Sequence, residues 1–301
     1  MRSEGSSLRY GGDHNIIAKP PWLRVRLSLT PNFSFVRRLV RDLGLHTVCE
    51  QANCPNEAEC WNAGTAAFLI LGDRCSRRCN FCAVAHGPVS LPDQGEPERV
   101  AKAVSLMELS FVVLTSVTRD DLEDGGAGHF VETLRSIRRH KPNAIVEVLV
   151  PDFKGSETAV RDVATAKPDV LAHNVETVPR LYERVRPEAD YRHSLNLFRK
   201  ALHADPGIIL KSGLMLGLGE SPDEVRGVME DLRESGCRLL TLGQYLQPST
   251  THLPVERFVT PDEFEEWRET ALGMGFDGVA SGPLVRSSYR AGELYLEARR
   301  K

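Results

Sequence analysis

The sequence predicts an α/β fold, an open (β/α)6 barrel, on three observations. Six short apolar runs recur between residues 67 and 245, a helical segment follows each of them, and two of those helices open on strong start signals. Apolar runs that alternate with helices imply a parallel sheet with right-handed crossovers. Six units are two short of a closed eight-fold barrel. The reading is therefore a partial, TIM-like barrel with its chemistry at the C-terminal ends of the strands.

The stretch through about residue 62 is irregular. Lys19-Pro20-Pro21-Trp22-Leu23 cannot carry a helix through two prolines and reads as an extended anchor with Trp22 as its apolar foot. Residues 31–45 have helical spacing (Phe35, Leu39, Leu43). Strands are expected at 67–71, 111–117, 144–150, 169–175, 208–216 and 239–245, with helices near 97–108, 128–140, 156–166, 179–203, 222–235 and 261–274. Ser221-Pro222-Asp223-Glu224 and Thr260-Pro261-Asp262-Glu263 each join an N-cap hydroxyl, a first-turn proline and a capping-box glutamate. The expected division is an N-terminal extension over 1–62, the barrel over 63–281 and a C-terminal tail over 282–301.

The formal charge of −3 gives no field suited to nucleic acid, and neither a basic strip interleaved with aromatics nor a basic fold motif is present. Charge is uneven, however: residues 1–45 hold eight Lys/Arg against three acids, which reads either as a solvated arm or as a docking surface for an acidic partner. Met1–Ile16 has no apolar signal core, and runs such as Ala66–Leu71 are too short to span a bilayer. A cytoplasmic monomer is expected, with seven cysteines held as thiols or metal ligands rather than disulfides.

Cys75, Cys79 and Cys82 form C-x3-C-x2-C directly after the first strand. Three thiolates in so short a loop can ligate three irons of a [4Fe–4S] cube. The missing fourth ligand leaves one iron free to chelate the amino and carboxylate groups of a bound cofactor. A zinc site completed by His86 is the alternative, but zinc sites usually pair two C-x2-C knuckles. The triplet resembles the signature of the radical S-adenosylmethionine (SAM) superfamily. That resemblance implies cofactor contacts at Asp124, Gly125 and Gly126 after strand two, at Asn174 and Glu176 (with His173 beside them) ending strand four, and at Gly213, Met215 and Gly217 across the end of strand five.

Cys49, Cys54 and Cys60 form a second triplet, C-x4-C-x5-C, set among Glu50, Gln51, Asn53, Asn56 and Glu57 rather than in an apolar run. A second cluster is the better reading, again with three thiolates. Cys237 stands alone and reads as a buried core thiol. The order of the two triplets, with Arg286-Ser287-Ser288-Tyr289 near the C-terminus, resembles the lipoyl synthases. The likeness extends from Lys19-Pro20-Pro21-Trp22 through Thr118-Arg119-Asp120-Asp121-Leu122 and His173-Asn174-Val175-Glu176-Thr177 to the tail. Arg290 departs from it, standing where many relatives have histidine.

The resemblance implies two [4Fe–4S] clusters, one binding SAM and one, completed by Ser288, serving as sulfur donor. It further implies that a 5′-deoxyadenosyl radical takes hydrogen from C6 and then C8 of an octanoyl chain, with sulfur inserted at both. The implied partners are an octanoylated lysine on a lipoyl carrier domain and a one-electron donor such as a ferredoxin or flavodoxin. The alternative is another two-cluster radical SAM enzyme that inserts sulfur, although those lack the first triplet in this position and the Arg-Ser-Ser-Tyr element.

Overall fold

The structure is a computed structural model that describes residues 19–25, 28 and 30–300; Arg2, Glu4, Arg9, Asp13 and Arg26 of the basic segment lie outside the described residues. The chain runs through α1 (Pro31–Asp42), β1 (His46–Thr47), α2 (Val48–Gln51), α3 (Glu57–Asn62), β2 (Ala67–Ile70), β3 (Arg74–Cys75), β4 (Ala85–His86), α4 (Glu96–Leu106) and β5 (Phe111–Ser116). It continues through α5 (Ala127–His140), β6 (Ile145–Leu149), α6 (Glu157–Thr165), β7 (Val170–Ala172), α7 (Tyr182–Val185), α8 (Tyr191–Ala204) and β8 (Ile209–Leu216). The last elements are α9 (Pro222–Glu234), β9 (Leu239–Gln244), α10 (Pro261–Gly273), β10 (Gly278–Gly282) and α11 (Ala291–Arg299).

The main sheet has the order β1-β2-β5-β6-β7-β8-β9-β10. All pairs from β2 to β10 are parallel, while β1 adds to β2 antiparallel, pairing His46 with Leu69 and Thr47 with Phe68. The two ends of the sheet remain edges, so the barrel is open as expected. Six strands match the six apolar runs. The seventh parallel strand, β10, was not expected, because Gly-Val-Ala-Ser-Gly is too small and glycine-rich to carry a strand signal. It forms through tertiary pairing with β9.

Both capping boxes are made: the Ser221 and Thr260 hydroxyls accept from the backbone N–H of Glu224 and Glu263, whose side chains bond back to the caps. The single helix expected over 179–203 is instead broken. A 3-10 turn at Pro179–Leu181 leads into α7, and Pro187, which has no N–H to continue the ladder, separates α7 from α8. Near the N-terminus Leu23, not Trp22, is the apolar foot. Leu23 is buried, whereas Trp22 lies in a one-turn 3-10 helix and is 39% exposed.

The two ends of the barrel are treated differently. Leu294, Tyr295 and Ala298 of α11 pack on Val170, Ile209 and Leu239 at the strand starts, plugging the N-terminal end. The C-terminal end is left to face a cavity.

Candidate active site

A cavity of about 800 Å³ opens over the C-terminal ends of the strands. Cys75, Cys79 and Cys82 line it from the loop after β2, and Cys49 and Cys54 from α2 and the turn that follows. Asn174 and Glu176 line it from the end of β7, Gly213 and Met215 from β8, and Ser287 and Ser288 from the segment after β10. Residues as far apart in sequence as Cys49 and Ser288 thus share one chamber. Cys60, Asp124, Gly125, Gly126 and Gly217 do not line it.

The first cysteine loop is held by hydrogen bonds from two directions. The Cys75 sulfur accepts from the backbone N–H of Arg77 (3.4 Å) and of Thr118 (3.3 Å), and Ser76 donates its hydroxyl to the Thr118 carbonyl. Arg77, buried at the middle of the loop, forms paired bonds with Asp120 and with Asp152. Burial alone would raise Asp152, but the Arg77 bonds and charge overcome it and hold the carboxyl at about 2. On the far side, the His252 ring bonds the Cys82 carbonyl at 3.0 Å.

Burial pushes the Cys79 thiol up to about 11 and Cys82 to about 12, while in the other triplet Cys49 goes to about 12 and Cys60 to about 11. Thiols held protonated by burial would release those protons on binding a metal, as ligation through cysteine requires. Among the described residues no three His, Cys, Asp or Glu side chains close on a single point as one zinc ion requires. Soft thiolate donors suit zinc and iron–sulfur clusters alike, and the triplet spacing with no fourth cysteine is what favours the cluster.

Beside this loop lies a polar cluster. Asn174 Nδ2 donates to Glu176 Oε1 at 3.0 Å, and the Ser287 hydroxyl donates to Asn174 Oδ1 at 3.0 Å. Glu176 has a left-handed backbone (φ 65°), a conformation that costs a non-glycine residue energy and tends to occur where function demands it. Burial raises its carboxyl, and Arg186 opposes the shift. Arg186 turns into the cavity at the Pro187 break, donates to the Asn174 carbonyl, and leaves a buried Nε without a partner. An orphan donor of that kind is what an acidic group of a bound cofactor would satisfy. His173 is committed elsewhere, to the Val150 carbonyl and the Ser194 hydroxyl, and burial lowers it to about 4.

Two glycines explain why the walls approach so closely. A Cβ on Gly213 would lie 2.9 Å from Asn174 Oδ1, and one on Gly243 would overlap the Val285 carbonyl oxygen. The tail therefore crosses directly over the end of β9. It is clamped on its other side by Asn56, which donates to the Leu284 carbonyl, and by Glu59, which accepts from Tyr289. Arg286 enters the cavity and, among the described residues, its side chain bonds only the neighbouring Val285 carbonyl; burial depresses its guanidinium, and the nearby Cys54 and Glu176 oppose this.

Asp124, Gly125 and Gly126 build the start of α5. The Asp124 carboxylate accepts from the N–H of Gly126 and Gly128, and Gly126 is left-handed against Leu71. Gly217 shapes the turn after β8, where its N–H donates to Glu220. Cys237 is a buried core thiol as expected. Sequence reasoning missed Arg77, Asp152, Arg186, Arg286 and Gly243. Arg77 and Arg286 sit inside the two recognised motifs, which was the available signal for them.

The profile of the Radical SAM superfamily matches residues 69–232. Over 91% of its length the chain is 56% identical to the lipoyl synthase of Acidithiobacillus ferrooxidans, covering 87% of that protein. It is 52% identical to that of Desulfotalea psychrophila, with 94% of each chain covered. Among solved structures it resembles HydG, a maturase of the [FeFe]-hydrogenase (TM-score 0.56, 16% identity, 70% of this chain and 50% of that one). It also resembles SAM-bound SuiB of Streptococcus suis (TM-score 0.54, 11% identity, 79% and 51%). The chain spans about half of each of those two structures, and at such identities the likeness speaks to the fold alone. Two cysteine loops on one chamber, a superfamily match over the barrel and near-full-length relatives above half identity agree: this radical SAM enzyme belongs to the lipoyl synthase family.

Proposed function

We propose that the protein inserts two sulfur atoms, at C6 and C8, into an octanoyl group carried on a lysine of a lipoyl carrier domain. The observation that carries this reading is the convergence of both cysteine loops and the Arg-Ser-Ser-Tyr element on one cavity. Cys75, Cys79 and Cys82 would hold the SAM-binding [4Fe–4S] cluster. Cys49, Cys54, Cys60 and Ser288 would hold a second cluster, which is consumed as the sulfur-donating substrate. Bound there, the first cluster would supply one-electron reduction of the SAM sulfonium, with a ferredoxin or flavodoxin as the class of electron donor.

The chain's own groups do the remaining work. Asn174, Glu176 and Arg186 orient SAM, and Gly213 and Met215 give its base a close wall. Asp124, Gly125, Gly126 and Gly217 act from behind by shaping α5 and the β8 turn. Leu23, Phe33 and Val48 supply an apolar wall on the side of the second triplet, suited to an alkyl chain. The plugged barrel floor and the tail over β9 exclude water and competing hydrogens from a reactive centre. Serine oxygen is a harder ligand for iron than thiolate, so Ser288 is the position suited to releasing its iron as sulfur leaves.

Anaerobic reconstitution followed by iron and sulfide analysis tests the reading. About eight of each are expected for two cubes. Protein that holds only zinc, or a single cube, would overturn it.

A further inference from the structure

The two halves of the cavity meet at one hydrogen bond. Ser287 and Ser288 are adjacent in the chain and both line the chamber, yet among the described residues only the Ser287 side chain is bonded, donating its hydroxyl to Asn174 Oδ1 at 3.0 Å. Both ends of the Asn174 amide are then used, since its Nδ2 donates to Glu176. This fixes which end of the amide faces which neighbour and leaves one N–H and one lone pair free toward a ligand. The room for the amide exists because residue 213 is glycine. The serine that follows, Ser288, sits between this bond and the turn in which the Tyr289 N–H donates to the Arg286 carbonyl while the Tyr289 hydroxyl donates to Glu59, so the Ser287 bond is the one that ties the turn to the Asn174 side of the chamber.

We propose that Ser287 is a positioning residue that couples SAM binding to ligation of the second cluster by Ser288. The inference rests on the function proposed above and goes further: neither serine acts alone. Through Ser287, the residues that orient SAM and the oxygen that caps the second cluster share one rigid link, Glu176–Asn174–Ser287–Ser288. Coupling of this kind is reciprocal, so occupancy at either end must be felt at the other. The consequence for the reaction is order, since seating SAM on Asn174 and Glu176 and ligation through Ser288 each favour the other.

The test uses the anaerobically reconstituted full chain, with wild type compared against Ser287→Ala and Ser287→Thr. Two quantities are read: the dissociation constant for SAM, and the electron paramagnetic resonance spectrum of the reduced second cluster with and without SAM. In wild type, SAM should change that spectrum. In Ser287→Ala, the dissociation constant should rise roughly two- to tenfold, the usual worth of one hydrogen bond, and the spectral response should vanish. Ser287→Thr, which keeps the hydroxyl, should restore both. A purely structural role would not abolish the response to SAM while two cubes are still present. If wild type shows two cubes and cleaves SAM but its spectrum ignores SAM, the coupling is wrong and the proposed function stands. The coupling is equally wrong if Ser287→Ala responds as wild type does, or if Ser287→Thr fails as alanine does. If wild type lacks two cubes, both fall.

Discussion

Arg77 grips both carboxylate oxygens of Asp152, at 2.7 and 2.8 Å, from the middle of the loop that joins Cys75 to Cys79. A guanidinium fork on a carboxylate is the strongest geometry such a pair can adopt, and both side chains here are buried. The bond ties the cysteine loop to the end of the third parallel strand, so the protein's own side chains shape the loop.

This pair has a signed pH dependence. Asp152 ordinarily ionises near 3.8 and is held at about 2 in the folded chain. Its contribution, about 2 kcal/mol, is therefore complete above about pH 4 and is lost as the pH falls toward 2. Asp152→Asn should remove that part of the acid sensitivity and lower stability near neutrality. Chemical denaturation of the metal-free chain at pH 7 and pH 3 checks this, with a smaller difference between the two expected in the variant.

Gly243→Ala should displace the C-terminal tail, because the new methyl group overlaps the Val285 carbonyl oxygen. Faster hydrogen exchange over residues 283–290 is expected, with SAM cleavage retained and sulfur insertion lost.

Cys79→Ala should abolish formation of 5′-deoxyadenosine. Ser288→Ala should keep that cleavage and stall insertion, since in the proposed function the hydroxyl caps only the second cluster. Full lipoyl formation by the serine variant, followed by mass spectrometry of an octanoylated peptide, would remove Ser288 from its role.

Lys211 and Glu147 form an ion pair with no solvent exposure on either side chain, reaching across β7 from β8 to β6. Lys211→Met leaves an unpaired carboxylate in the core and should destabilise the fold by about 3–5 kcal/mol. Combining it with Glu147→Leu should recover most of that loss, as read from denaturation midpoints.

Arg37, Arg38 and Arg41 are exposed on α1, although Asp42 pairs with Arg41. Reversing all three charges should raise the KM for an acidic octanoylated carrier at low salt, with the difference fading as salt screens it. An unchanged KM would retire this surface as the docking face.

Much of this protein was legible in one dimension. The six apolar runs, both capping boxes and the cysteine spacings are local patterns, and local patterns survive in a sequence because they depend on neighbours within a few residues. The Pro187 break was equally local and was overlooked, although a proline inside a helical segment announces it. Strand β10 was different in kind. Its residues have no strand preference of their own, and only the exposed edge of β9 and the cover of α11 make them pair.

The site divides along the same line. Sequence by itself determined the two cysteine triplets, their spacing and the loops that carry them, because these are properties of neighbouring residues. Only the tertiary structure decided that Ser287 bonds Asn174, that Arg77 joins Asp152 and that Gly243 lets the tail cross the barrel. These contacts link residues 42 to 113 positions apart. Which of many distant partners meet is settled by how the sheet curves and packs, and no short window of sequence contains that information.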